Sequence, residues 1–160
     1  MNDYREKMIA FLNKVLKDEL SAAIFYRKAS LELVGSDVDG ISKELAIHAD
    51  EEMVHFNNLL AFAANHGLSD EINIELDQSV VMFSPLTDPY SVMRKVQELE
   101  KDAINDYNKS AMCAMKNNDL EAHEFFKGLM QDEVGHFDDL AHVNGDTRPL
   151  TGLSSLSIQF

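Results

Sequence analysis

Shifted by 81 positions, the chain matches itself: "EEMVHF" at 51–56 returns as "DEVGHF" at 132–137, so Glu52 and His55 recur as Glu133 and His136. The same shift superposes Glu19 on Glu100, Ala22 on Ala103, Tyr26 on Tyr107 and Lys28 on Lys109. Each copy therefore has a Glu 33 positions before its Glu-x-x-His. A repeat with this content restricts the fold severely, because each of its six Glu and His residues interrupts an apolar stripe of helical period. Glu19 sits between Leu16 and Ala23, and Glu100 between Val96 and Ala103 or Ile104. Glu52 and His55 lie on the line from Leu45 to Leu59, and Glu133 and His136 on the line from Leu129 to Leu140.

The stripes delimit four long helices, over about 4–34, 40–66, 89–116 and 119–143. The first aligns Ile9, Leu12, Leu16, Ala23 and Tyr26; the second, Ile41, Leu45, Leu59 and Phe62. The third aligns Met93, Val96, Ala103, Tyr107 and Ala111; the fourth, Ala122, Phe126, Leu129, Leu140 and Val143. Asp88-Pro89 reads as an N-cap followed by proline at the first helical position, and Asn144-Gly145 as a stop. Short turns at 35–40 and 117–119 make each half an antiparallel hairpin. Roughly twenty residues separate the halves, enough to run the length of a bundle. The predicted fold is all-α: a four-helix bundle with one long crossover between helices two and three. It occupies residues 1–145, with a tail at 146–160 that docks on a neighbouring subunit through Leu150, Leu153, Leu156, Ile158 and Phe160. Alternating Ile72, Ile74 and Leu76 in the crossover predict a short strand pairing across a twofold.

Helix rise fixes the height of each polar position. Counted from the turns, Glu19, Glu52, Glu100 and Glu133 all lie roughly 22–27 Å away, so they meet at one level. Four buried carboxylates without compensation would cost many kcal/mol. Two divalent cations cancel four negative charges, and this pattern predicts that Glu19, Glu52, His55, Glu100, Glu133 and His136 hold metal. Residues three apart share a helix face, so each Glu-His pair can grip one ion. Asp132 and Glu51 precede ligand positions and are expected to orient the opposite histidines. Tyr26 and Tyr107 should point inward near the metals, as electron donors or as packing, with Tyr26 a candidate catalytic residue. His48 is one turn before Glu52 and within reach of the site, and Cys113 reads as a small core residue.

The net charge of −14 makes nucleic acid a poor partner and draws cations into any acidic cleft. No apolar run is long enough for a membrane span, and "MNDYREKM" lacks the core of a signal peptide, so the expected setting is cytoplasmic. With Cys113 as the single cysteine, no disulfide framework or four-cysteine metal site is available.

"FLNKVLKDELSAAIFYRKAS", "DEEMVHF" and "DEVGHFDDL" together resemble the first, second and fourth helices of bacterioferritins and their ferritin-like relatives, over about 1–143. That resemblance implies a di-iron ferroxidase centre, in which Fe²⁺ is oxidised by O₂ or peroxide, and iron storage in a homo-oligomeric shell. It also implies the division of roles: Glu52 and Glu133 bridging, Glu19 and Glu100 terminal, and His55 and His136 each on one iron. Met53 stands where bacterioferritins place a haem-ligating methionine, which makes haem a second implied cofactor. The tail departs from the family, since Pro149, Gly152 and the serines disfavour its short fifth helix. "LTGLSSLSI" faintly resembles the docking peptides of encapsulin cargo, an alternative location. Two other functions compete: a rubrerythrin-like peroxidase or di-metal oxidase without storage, and a DNA-protecting mini-ferritin. The missing cysteine-rich module argues against the first. The second builds its site between subunits and often carries basic tails, whereas here six ligands fit one bundle and no DNA binding is expected. A purely structural bundle is the plainest alternative.

Overall fold

Long helices form where the apolar spacing places them in the computed structural model, which describes residues 2–35 and 37–143. They are α1 (Asn2–Glu32), α2 (Asp39–Asn65), α4 (Pro89–Lys116) and α5 (Leu120–Val143). A four-residue helix, α3 (Gln78–Val81), and a 3₁₀ turn (Ser69–Glu71) punctuate the crossover. The predicted cap at Asp88 is present, and α5 has one that was not predicted from the sequence. The Asp88 side chain accepts from Ser91 N–H at 3.0 Å with Pro89 just inside α4, and Asp119 accepts from Ala122 N–H at 3.0 Å at the start of α5. At the α4–α5 turn Asn118 takes φ 58°, a left-handed conformation that asparagine tolerates better than most residues. Gly67, at φ 65°, ends α2 in the same way. The Asn144-Gly145 stop, the tail expected to lack a fifth helix and the tail's docking residues lie outside the described part of the chain.

α1 packs chiefly on α2, and α4 chiefly on α5; contact between the two hairpins is much sparser. The interior comprises two apolar clusters. One gathers Leu12, Val15 and Leu16 of α1, Phe56, Leu59 and Phe62 of α2, Tyr107 and Ala111 of α4, and Phe126 and Leu129 of α5. The other gathers Phe25, Tyr26 and Ala29, Leu45 and Ala49, Val92 and Val96, and Leu140. On each long helix the buried carboxylates and their histidines fall between these clusters: Glu19, then Glu52 and His55, then Glu100, then Glu133 and His136. A polar layer thus divides the core at a single height, as the helix rise predicts.

The crossover is fastened along α1. The Asn13 side chain donates to the Glu71 carbonyl at 3.1 Å and accepts from Asn73 N–H at 2.6 Å. Ser21 Oγ accepts from Asp77 N–H at 2.8 Å. Ile72 packs against the first cluster, while Ile74 and Leu76 remain exposed, and residues 72–77 carry no regular secondary structure. No strand forms among the described residues; pairing across a twofold would require a second copy.

Candidate metal centre

Six side chains meet in the polar layer, and none is more than 6% exposed. They come from all four long helices: Glu19 from α1, Glu52 and His55 from α2, Glu100 from α4, Glu133 and His136 from α5. The geometry follows the sequence repeat. His55 Nδ1 faces Glu133 Oε1 at 2.9 Å, Glu52 Oε2 at 3.3 Å and Glu19 Oε2 at 3.6 Å. His136 Nδ1 faces Glu52 Oε1 at 3.2 Å, Glu133 Oε2 at 3.4 Å and Glu100 Oε2 at 3.8 Å. Glu52 and Glu133 therefore turn one oxygen to each histidine. Glu19 lies on the His55 side only, and Glu100 on the His136 side only.

Their outer nitrogens point the other way. His55 Nε2 is 3.5 Å from Asp132 Oδ2, and His136 Nε2 is 3.2 Å from Glu51 Oε2. Each carboxylate lies on the helix opposite the histidine it approaches, as anticipated. Such a partner fixes ring orientation and leaves the inner nitrogen's lone pair for a ligand. The tyrosines add a feature that sequence alone does not reveal. Tyr26 of α1 donates its hydroxyl to Glu100 Oε1 at 2.5 Å, and Tyr107 of α4 donates to Glu19 Oε1. Each phenol thus holds the outer carboxylate of the other hairpin. The repeat places a tyrosine seven residues beyond each outer Glu, which was the signal, but the crossing depends on interhelix register.

His48 is buried as well, at 1% exposure, and its ring stacks on His136 with centroids 4.5 Å apart. Met53 lies on the exposed side of α2, and Cys113 is half-buried rather than a core residue. A cleft of about 290 Å³ reaches Glu19, Glu52, Glu100 and Glu133 between α1 and α4, with Asp18, Lys17 and Glu98 on its walls. A groove between α2 and α5 reaches His55 and His136 past Glu51, Asp132 and Asp139.

Electrostatics decide what such a layer can hold. Burial pushes Glu19 and Glu100 well above the usual carboxylate range, and the neighbouring Glu52 and Glu133 charges push them further. Burial also works against ionisation of Glu52, yet contacts with Glu19, His136 and His55 hold its carboxyl below that range. His136 is raised to about 11: burial opposes its charge, and Glu133 and Glu52 outweigh burial. His55 is raised in the same way by Glu133, Glu19 and Glu52. Burial, assisted by His136, lowers His48 to about 4. Without cations, then, the layer retains protons on Glu19, Glu100, His55 and His136, and two divalent ions carry the charge of those four protons.

Hydrogen-bond geometry supplies the test of fit. His48 Nδ1 and Glu100 Oε2 are buried without a hydrogen-bond partner, and His55 Nδ1, His136 Nδ1 and Glu133 Oε1 face their neighbours without an aligned hydrogen bond. Buried polar atoms without a good hydrogen bond are costly, and five at one level are the mark of a ligand site. Two sets of donor atoms lie within 4.8 Å of one another: Glu19, Glu52, His55 and Glu133, and Glu52, Glu100, Glu133 and His136. Oxygen and imidazole donors in this proportion suit iron, manganese or zinc. The residues fit a pair of divalent ions.

Fold and site together define a four-helix bundle with a buried, paired carboxylate–histidine centre. A family model described as the ferritin-like domain matches residues 9–149, and the chain belongs to that family. It is 25% identical over 129 residues to bacterial non-heme ferritins of Escherichia coli and Shigella flexneri, covering 81% of this chain and 76% of theirs. Among solved structures it is similar to a ferritin-like di-iron-carboxylate protein from Bacillus anthracis, with TM-score 0.77 and 20% identity, covering 89% of this chain and 99% of that one. A Rhodobacter capsulatus bacterioferritin superposes with TM-score 0.71 at 22% identity, covering 91% and 96%. No described helix is long and apolar enough to cross a membrane.

Proposed function

We propose that this protein oxidises Fe²⁺ at the paired site and passes the ferric product to storage in a homo-oligomer. The observation that carries the reading is the sharing of Glu52 and Glu133, each with one oxygen toward His55 and the other toward His136. Carboxylates placed in this way hold two substrate irons side by side, with Glu19 and His55 completing one position and Glu100 and His136 the other. Each Fe²⁺ gives up one electron, and O₂ or peroxide takes up the pair. The protein binds and orients: Tyr26 and Tyr107 fix the outer carboxylates, and Asp132 and Glu51 fix the histidines.

Storage is the reading that the relatives named ferritin support, and it requires assembly. Leu31, Val34, Met82 and Tyr90, each at least 69% exposed, supply apolar surface toward one end of the bundle for a second copy. Haem ligation by Met53 is a separate proposal that also needs a second copy; the side chain is 37% exposed on α2. The encapsulin alternative rests on tail residues outside the described part of the chain.

The test adds Fe²⁺ stepwise to metal-free protein in air and follows the ferric absorbance, with Glu52→Ala/Glu133→Ala as control. The expected result is fast oxidation saturating at about two irons per chain in the wild type alone, with slower uptake continuing beyond that point. Equal slow rates in both proteins would sink the ferroxidase reading. A fast phase with no further uptake would leave oxidation without storage.

A further inference from the structure

The sequence repeat breaks at one point in the polar layer. At the shift that superposes every other member of the site, His48 is matched by Leu129, which lies in the apolar cluster on the far side. His48 is buried and belongs to neither apolar cluster. Its Nδ1 has no hydrogen-bond partner, and its ring lies against His136 rather than His55. One of its nitrogens, a Glu100 oxygen and a His136 nitrogen form a third set of donor atoms within 4.8 Å of one another.

A buried imidazole with an orphaned nitrogen is costly unless something occupies it. No described side chain does so, and packing alone would be served as well by the leucine that the other half uses. From this break in symmetry we propose that His48 is an additional nitrogen donor on the Glu100–His136 side, making the two cation positions unequal. This inference rests on the paired-cation reading above. The position served by His55 and Glu19 keeps one imidazole, whereas the position served by His136 and Glu100 has two. Nitrogen donors favour the later first-row divalent ions over manganese and magnesium. The His48 side is therefore the tighter and more selective of the two, and it fills first.

The experiment is an anaerobic calorimetric titration of metal-free protein with Co²⁺, read in parallel by cobalt visible absorbance, on wild type, His48→Leu, His48→Gln and Glu19→Ala. Wild type should bind about two ions per chain in two separable steps. In His48→Leu the first step should weaken by about 10- to 100-fold, as when a group supporting a metal-bound histidine is removed, and its absorbance band should change. Glu19→Ala should keep the first step and lose the second. His48→Gln, which retains a polar side chain, reports the same loss and decides the matter if the leucine variant fails to fold. A first step and band unchanged in both His48 variants would overturn the inference and leave the paired site intact. Absence of Co²⁺ binding in the wild type would overturn both.

Discussion

Tyr26 and Tyr107 bear on the site through the outer carboxylates. Tyr26 holds Glu100 Oε1 by a hydrogen bond from the opposite hairpin, leaving Oε2 turned toward His136. Tyr26→Phe removes that donor and frees the carboxylate to rotate. Metal-free stability should fall by about 1–3 kcal/mol, the cost of an unpaired buried polar group, measured by urea unfolding. Co²⁺ affinity should fall as well, by about 10- to 100-fold. If Tyr26 were packing alone, affinity would not move. At this scale the sequence was most informative about the buried polar layer, because Glu and His stand out where leucine belongs. It was least informative about partners: nothing in the spacing of Tyr26 and Glu19 says that the phenol reaches Glu100 instead.

The helices carry their own boundary signals, and these were legible for local reasons. Asp88 and Pro89 act within one turn, so no knowledge of packing is needed to read them. Asp88→Ala should lower stability by about 1 kcal/mol in thermal melts while leaving the number of cations bound unchanged, since the proposed ligand Glu100 lies three turns further along α4. The crossover behaved differently. Alternating Ile72, Ile74 and Leu76 resembled a strand, but a strand needs a partner, and in one chain the segment is fastened by Asn13 and Ser21 of α1. Those bonds depend on where a long connection comes to rest, which no local pattern encodes. Helix α3, with Asp77 accepting from Ser79 N–H at 2.8 Å, was missed for the opposite reason: four residues are too few to show a period.

Considered whole, the buried layer ties the stability of the molecule to its protons and, on the proposed function, to cations. His55 and His136 are raised above their ordinary value of 6.5, so the stability they contribute is full below that pH and is lost as pH rises toward the folded value, about 11 for His136. Glu19 and Glu100 are raised above 4.5, so their protonated forms favour the native state, and folding pays an increasing cost as pH climbs past that value. All four act in one direction near neutrality. Glu52, held below 4.5, opposes them only on the acid side, where its contribution is lost as pH falls. Metal-free protein in chelator should therefore melt at a lower temperature at pH 8.5 than at pH 6.5. Saturating Zn²⁺ should reverse that order, because each ion displaces protons. Calorimetry at the two pH values with and without Zn²⁺ checks both signs; a metal-free melting point that rises with pH would refute this account of the layer.

The division of the core has a mechanical consequence. Contact within each hairpin is denser than contact between the hairpins, so the seam between the halves depends on the two shared apolar clusters and on the polar layer that separates them. Cations held among Glu19, Glu52, Glu100 and Glu133, as proposed above, would act as a rivet through that seam, so loading the site should tighten the whole molecule rather than one corner of it.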